Sequence, residues 1–100
     1  MITFINMFTV KTGQQAAAFA GIQQIYTEVV KFQAGFISAT LLKSDDGNTV
    51  TAIAQWETAE NLASLSQHPR FRELHNESFY ESIVKVEPRI YSAEKVIISG

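Results

Sequence analysis

Two polar side chains interrupt apolar patterns in this 100-residue sequence, and both are types that bind ligands or move protons. The first, Asn6, sits in an alternating run with Phe4 and Phe8. A buried amide without a partner costs about 1–3 kcal/mol, so Asn6 must bond to backbone, water or a ligand. Because ligand sites are commonly apolar with a few polar groups, the structural and the ligand-binding interpretation of Asn6 both stay open.

The second is His75, which has Phe71 four residues before it and Phe79 four residues after it. In a helix these three side chains share one face, turned towards the interior. An imidazole there is either a hydrogen-bonded core histidine or a ligand or general base, and the spacing alone favours the core histidine. His68 precedes Pro69 at a helix start, which predicts a turn role.

Few other groups could carry chemistry. Trp56 ends a strand pattern, which indicates core packing, although its ring could wall a pocket. Asp45 and Asp46 belong to a turn and are not interpreted as a catalytic pair. The sequence has no cysteine, glycine-rich phosphate loop, serine elbow or His-Glu-x-x-His motif, so an enzyme of this sequence must use few catalytic groups.

Composition narrows the class of protein. Hydrophobic residues make up 46% and charged residues 18%, which predicts a globular chain, and no apolar run reaches the length of a membrane span. Net charge is −2 and no cluster of cations stands out, which argues against nucleic acid and anionic membranes as partners. We expect a single domain over residues 1–100, located in the cytoplasm because no signal-peptide pattern opens the sequence.

The elements that position these residues follow from periodicity and turn signals. Thr12 and Gln15 have capping-box spacing, Gly35 suits a left-handed cap, Thr58 can cap a second helix, and Pro69 restarts it. The predicted strands are Ile2–Val10, Phe36–Ser44, Thr49–Glu57 and Val86–Ile98. The first predicted helix runs from Thr12 to about Gly35. The second begins at Thr58, breaks at His68-Pro69 and continues with a stripe of Phe71, Leu74, His75, Ser78, Phe79 and Ile83.

This order predicts an α+β fold of ferredoxin-like βαββαβ type, a four-stranded antiparallel sheet with both helices on one face. The other sheet face carries either the Phe4/Phe8 set or the Ile5/Met7 set, and both sets are apolar. Such a face needs cover, so the sequence predicts a homodimer that associates through its sheets.

Four motifs together resemble the antibiotic biosynthesis monooxygenase family: the first strand with Asn6, Ala54–Thr58 (AQWET), His68-Pro69-x-Phe71 and Pro88–Tyr91 (PRIY). The resemblance covers nearly the whole chain. It implies a dimeric α+β barrel in which each chain keeps a pocket between its sheet and its helices.

One branch of that family implies a small monooxygenase that oxidises a hydrophobic phenol, quinol or anthrone-like substrate with O₂ and without a cofactor. On this resemblance Asn6 would hold the phenolate oxygen and His75 would be the base. The substrate would then be walled by Trp56, Phe4, Phe8, Leu65, Phe71 and Phe79.

Two alternatives remain. In the haem-degrading branch, Asn6 and His75 match an asparagine and a haem-ligating histidine, but Leu65 takes the place of that branch's tryptophan. The third possibility is a non-catalytic small-ligand module, for which Asn6 and His75 would be bonded to backbone in a filled core.

Overall fold

Four strands and four helices make up the chain, and the computed structural model describes residues 1–100. The strands are β1 (Ile2–Val10), β2 (Phe36–Lys43), β3 (Thr49–Trp56) and β4 (Ile83–Tyr91). The helices are α1 (Gln15–Glu28), α2 (Ala59–Ala63), α3 (Pro69–Leu74) and α4 (Glu77–Tyr80), with 3₁₀ turns at Val30–Phe32 and Ser64–Gln67. No helix combines the length and the apolar character that crossing a membrane requires.

The strands form one antiparallel sheet in the order β2-β3-β1-β4. At the centre, Asn6 of β1 lies opposite Ala52 of β3 and Pro88 of β4. Proline is tolerated there because β4 is an edge strand and needs no outward backbone donor. The predicted ferredoxin-like α+β fold is confirmed.

The two faces of β1 have different surroundings. Phe8 and Val10 are buried under α1, and Phe4 packs against a second buried cluster on the same side. Ile5 and Met7 line a shallow site on the opposite, open face of the sheet. The Phe4/Phe8 set therefore faces the helices, which answers the question that the sequence left open.

The predicted capping box at Thr12 and Gln15 is wrong. α1 begins at Gln15 after a turn in which the Gln14 backbone N–H donates to the Lys11 carbonyl at 2.9 Å, and no side chain caps the helix. The Gln15 amide donates instead to the backbone carbonyls of Ser44 and Thr49, both at 2.9 Å. A tertiary contact with the β2–β3 hairpin thus takes the side chain that the local pattern assigned to the cap.

Two predicted element ends also differ. α1 stops at Glu28, and the chain reaches Gly35 through a 3₁₀ turn, although Gly35 has the expected positive φ of 83°. The last strand covers Ile83–Tyr91 and not Val86–Ile98. Its only partner is β1, and beyond the Thr3–Tyr91 position β1 has only Ile2 left, so the ladder cannot extend towards Ile98.

Gly35 lies close to α2, and the lack of room there for a side chain leads to a stability prediction. A Cβ atom there would overlap the side chain of Asn61, while a Cβ at Gly13, whose φ is 77°, would meet no atom within 4 Å. We expect Gly35→Ala to lower the free energy of unfolding by about 2–4 kcal/mol, because backbone strain and overlap add. Gly13→Ala should lose only the strain, about 1–2 kcal/mol. Urea denaturation of both variants measures the difference, and equal losses would contradict the prediction.

Candidate functional site

A cavity of about 380 Å³ lies between the helix-facing side of the sheet and the helices. Twelve of its fifteen lining residues are hydrophobic, so it suits a largely apolar ligand. The interior that a filled core would occupy is therefore open. Members of both buried hydrophobic clusters contribute to its wall, among them Phe8 and Ile22 from one and Trp56 and Leu65 from the other.

The structure brings together every residue that the sequence singled out for a site. The eight are Phe4, Asn6, Phe8, Trp56, Leu65, Phe71, His75 and Phe79. Their placement around one cavity is a finding, and their roles in binding and catalysis stay predictions. Sequence reasoning missed Ile22, Ile25 and Tyr26 of α1, although their spacing of three and four residues was a usable signal.

The floor of the cavity comes from the sheet. Asn6 lies near the middle of β1, while Trp56 ends β3 opposite Ile2. Four residues along a strand correspond to roughly 13 Å, so the two side chains rise from well-separated points of the floor. Trp56 is held edge-on against Phe36, with ring centroids 5.4 Å apart, and is almost fully buried.

Two polar atoms of this floor have no partner. The Oδ1 atom of Asn6 and the Nε1 atom of Trp56 are the only buried side-chain nitrogen or oxygen atoms without a hydrogen bond. Each such group costs about 1–3 kcal/mol when left unpaired. One is an acceptor and the other a donor, so a ligand that supplies a hydroxyl and a carbonyl oxygen could satisfy both.

One wall is a column of aromatic rings on the second helical region. The rings of Phe71 and His75 lie 4.3 Å apart and those of His75 and Phe79 lie 5.1 Å apart. Phe79 also meets Phe8 of the floor edge-on at 6.3 Å. The predicted grouping of these three residues is confirmed by their ring contacts.

The prediction of a single helical stripe through this region is wrong. α3 ends at Leu74, His75 takes a ψ of 56°, and α4 begins after Asn76, whose side chain accepts from the Phe79 backbone N–H at 2.9 Å. Of the other members of the stripe, Ser78 is exposed and Ile83 opens β4.

The helix break also orients the imidazole. The His75 backbone N–H donates to the Arg72 carbonyl at 3.1 Å instead of bonding to Phe71 four residues back. The freed Phe71 carbonyl lies 2.6 Å from His75 Nδ1. A carbonyl can only accept, so Nδ1 carries the hydrogen, and in the neutral ring Nε2 bears the lone pair. His75 can therefore act as a base or a ligand through Nε2.

Other polar groups around the site have defined states. Burial raises the pKa of Tyr26 to about 12, so its hydroxyl stays protonated near neutral pH and can donate a hydrogen bond to a ligand. His68 caps α3, its Nδ1 accepting from the Phe71 backbone N–H at 3.4 Å, which confirms its predicted turn role. Nowhere do three or more His, Cys, Asp or Glu side chains gather in a group that could hold a metal ion.

The unpartnered atoms allow a test that separates a ligand site from a core. We expect Asn6→Leu to raise the free energy of unfolding by about 1–2 kcal/mol, since it removes a buried polar group that nothing satisfies. The variant should also bind or convert ligands less well. Thermal and urea unfolding measure the first effect. A loss of stability would show that the Asn6 amide contributes to the core, against the ligand-site interpretation.

Comparisons with known proteins agree with this architecture. The sequence pattern of the antibiotic biosynthesis monooxygenase family matches residues 1–77. Tetracenomycin-F1 monooxygenase of Streptomyces glaucescens is 28% identical over 72 residues, which are 72% of this chain and 64% of that protein, so the match spans a little under two thirds of the relative.

Two solved structures share the fold. SnoaB, a cofactor-independent oxygenase from Streptomyces nogalater, superimposes with a TM-score of 0.81 at 23% identity, covering 98% of this chain and 97% of that chain. Rv0793 from Mycobacterium tuberculosis gives a TM-score of 0.79 at 16% identity, covering 95% and 96%. With more than three quarters of its sequence matched, the chain belongs to the antibiotic biosynthesis monooxygenase family.

Proposed function

We propose that this protein is a cofactor-independent monooxygenase that oxidises a hydrophobic phenol, quinol or anthrone-like compound with O₂. The observation that carries the proposal is the apolar cavity in which Asn6 and Trp56 hold unpartnered polar atoms near a histidine with a free Nε2. The names of two similar proteins, a tetracenomycin-F1 monooxygenase and a cofactor-independent oxygenase, support it.

The first step is a proton transfer. Nε2 of His75 accepts the proton of a phenolic hydroxyl or of an activated ring carbon, a task within reach of a neutral imidazole. The resulting anion places charge on an oxygen atom, and the Asn6 amide N–H₂ or the Trp56 indole N–H can donate to that oxygen. These donors compensate the charge in a cavity whose walls are otherwise largely apolar.

The second step needs no electron source other than the substrate. The anion passes electrons to O₂, and a carbon–oxygen bond forms to give a peroxide. Loss of water then leaves a carbonyl. For an anthrone the ring carbon gives up two hydrogens and gains one oxygen atom, and the second oxygen atom leaves as water. The protein's task is to bind, deprotonate and exclude water.

The proton-transfer assignment predicts how variants behave in an oxygen-uptake assay with a panel of quinols and anthrones. We expect His75→Ala to lower turnover at least about 100-fold and Asn6→Ala about tenfold, because one removes the base and the other a donor to the anion. The control is His68→Asn, which removes the other imidazole but keeps an acceptor at the helix cap. Unchanged turnover in both site variants would reject the assignment.

Haem binding is a second candidate because one observation favours it. Axial histidines usually donate the ring N–H that does not face the metal to a carbonyl or carboxylate, and the 2.6 Å contact between His75 Nδ1 and the Phe71 carbonyl has this form. Haem bound through Nε2 would supply an iron centre for O₂ chemistry. Leu65, at the cavity wall, is the departure from the haem-degrading pattern.

A haemin titration followed by absorbance separates the two candidates. A saturable Soret shift at one haem per chain that His75→Ala abolishes would favour haem binding. Weak, unsaturable absorbance changes that His75→Ala leaves unaltered would favour the cofactor-independent reaction.

We further propose that residues 1–100 form a single domain that works in the cytoplasm as a homodimer. The open face of the sheet carries Ile5, Met7 and Ile53, which are only partly buried, beside Leu42, which is 46% exposed. An apolar strip of this kind in the middle of a sheet favours burial against a second copy.

The dimer predicts a specific response to a charge on the open face. Light scattering during size-exclusion chromatography should give twice the chain mass for the unmodified protein. Met7→Glu should shift it to the mass of one chain, because two carboxylates would be buried at the interface. Phe32→Glu is the control, since Phe32 is 70% exposed on the 3₁₀ turn after α1. A monomeric unmodified protein would contradict the proposal.

A further inference from the structure

A groove on the surface lies next to the cavity. Five residues line this groove: Ser66, Phe71, Arg72, His75 and Tyr80. Three of them, Ser66, Phe71 and His75, also line the cavity. The groove, called the mouth below, therefore adjoins the cavity, and His75 lies between the two.

Charge is distributed unevenly between mouth and cavity. No Asp, Glu, Lys or Arg side chain lines the cavity, and Arg72 is the one such residue in the groove. Its guanidinium makes no ion pair. By contrast, Arg70 on the same helix pairs with Glu28 at 3.2 Å and Glu73 at 3.3 Å. The mouth thus presents one uncompensated positive charge beside the Tyr80 side chain.

We propose that the groove is a carboxylate subsite and that the substrate is an aromatic carboxylic acid, with its rings in the cavity and its carboxylate on Arg72. This inference rests on the proposed function, whose substrate it specifies further. A carboxylate inside the cavity would lose its hydration without a cation to pair with, so it stays at the mouth. The planar guanidinium fork matches a carboxylate in two parallel hydrogen bonds.

A singly charged group fits better than a phosphate ester. A phosphate monoester carries about −1.5 to −2 charges near neutral pH, and the groove offers one cation. Anchoring at the mouth also fixes the substrate's direction. The end of the ring system far from the carboxylate enters first, towards the floor that carries Asn6 and Trp56.

The test measures binding without turnover. Trp56 is the only tryptophan and lines the cavity, so its fluorescence reports occupancy. The ligands are anthraquinone-2-carboxylate and the neutral 2-(hydroxymethyl)anthraquinone, which share one ring system. The proteins are the unmodified chain, Arg72→Gln, Arg72→Lys and Arg70→Gln. The last is the matched control, since it removes the same charge from the same helix outside the groove.

We expect the unmodified protein to bind the carboxylate roughly tenfold more tightly than the alcohol, the scale of one charge-assisted interaction partly open to water. Arg72→Gln should abolish that preference by weakening carboxylate binding alone, and Arg72→Lys should keep part of it. Arg70→Gln should keep all of it.

Equal binding of both ligands to the unmodified protein, or a preference that survives Arg72→Gln, would overturn the carboxylate subsite and leave the proposed function standing. If neither ligand changes the fluorescence, the cavity is not an aromatic binding site, and both proposals are overturned.

Discussion

The site depends on the alternation of side chains along β1, whose successive residues point to opposite faces of the sheet. This constraint is strong because β1 lies in the middle of the sheet. β1 pairs with β3 on one side and with β4 on the other, so a slip of one residue would exchange its two faces in both ladders at once. The bulky Phe4 and Phe8 rings make that exchange unfavourable. Asn6, between them, is held on the helix side beside the small Ala52 of β3, and an amide is therefore placed in the floor of an apolar cavity.

The breaks in the helical region position the wall of the cavity, as β1 positions its floor. A continuous helix over residues 59–80 would be about 33 Å long and straight, and could not curve around an open space. The chain instead forms three pieces, and Thr58, His68 and Asn76 each accept a backbone N–H three residues further on. The last break leaves the Phe71 carbonyl free to bond to the His75 ring, so the same event that bends the wall also sets which imidazole nitrogen faces a ligand.

Periodicity, turn chemistry and the family resemblance were enough to predict the order of strands and helices along the chain. They also predicted the Thr58 cap and the residues that converge on the cavity. They failed where a distant part of the chain decides a local feature. Gln15 has the spacing of a capping residue, yet its amide is drawn to the β2–β3 hairpin. The β-branched pattern that predicted β4 continues to Ile98, yet the strand ends at Tyr91, where β1 has only Ile2 left to offer. Whether Asn6 and Trp56 find hydrogen bonds depends on how well neighbouring elements fill space, which no local pattern encodes.

The cavity explains why such a small chain would keep unfavourable features in its interior. Two unpaired buried groups together cost on the order of 2–6 kcal/mol, a large share of the roughly 5–15 kcal/mol by which domains are stable. A ligand that bonds to both atoms recovers that free energy on binding. Part of the binding affinity therefore comes from relieving the cost of the two unpaired groups in the ligand-free protein. The same apolar walls oppose any charge that lacks a donor. An anion formed by proton transfer to His75 is therefore favoured where a donor such as Asn6 or Trp56 can reach it. This restricts both the position and the identity of the atom that becomes reactive towards O₂.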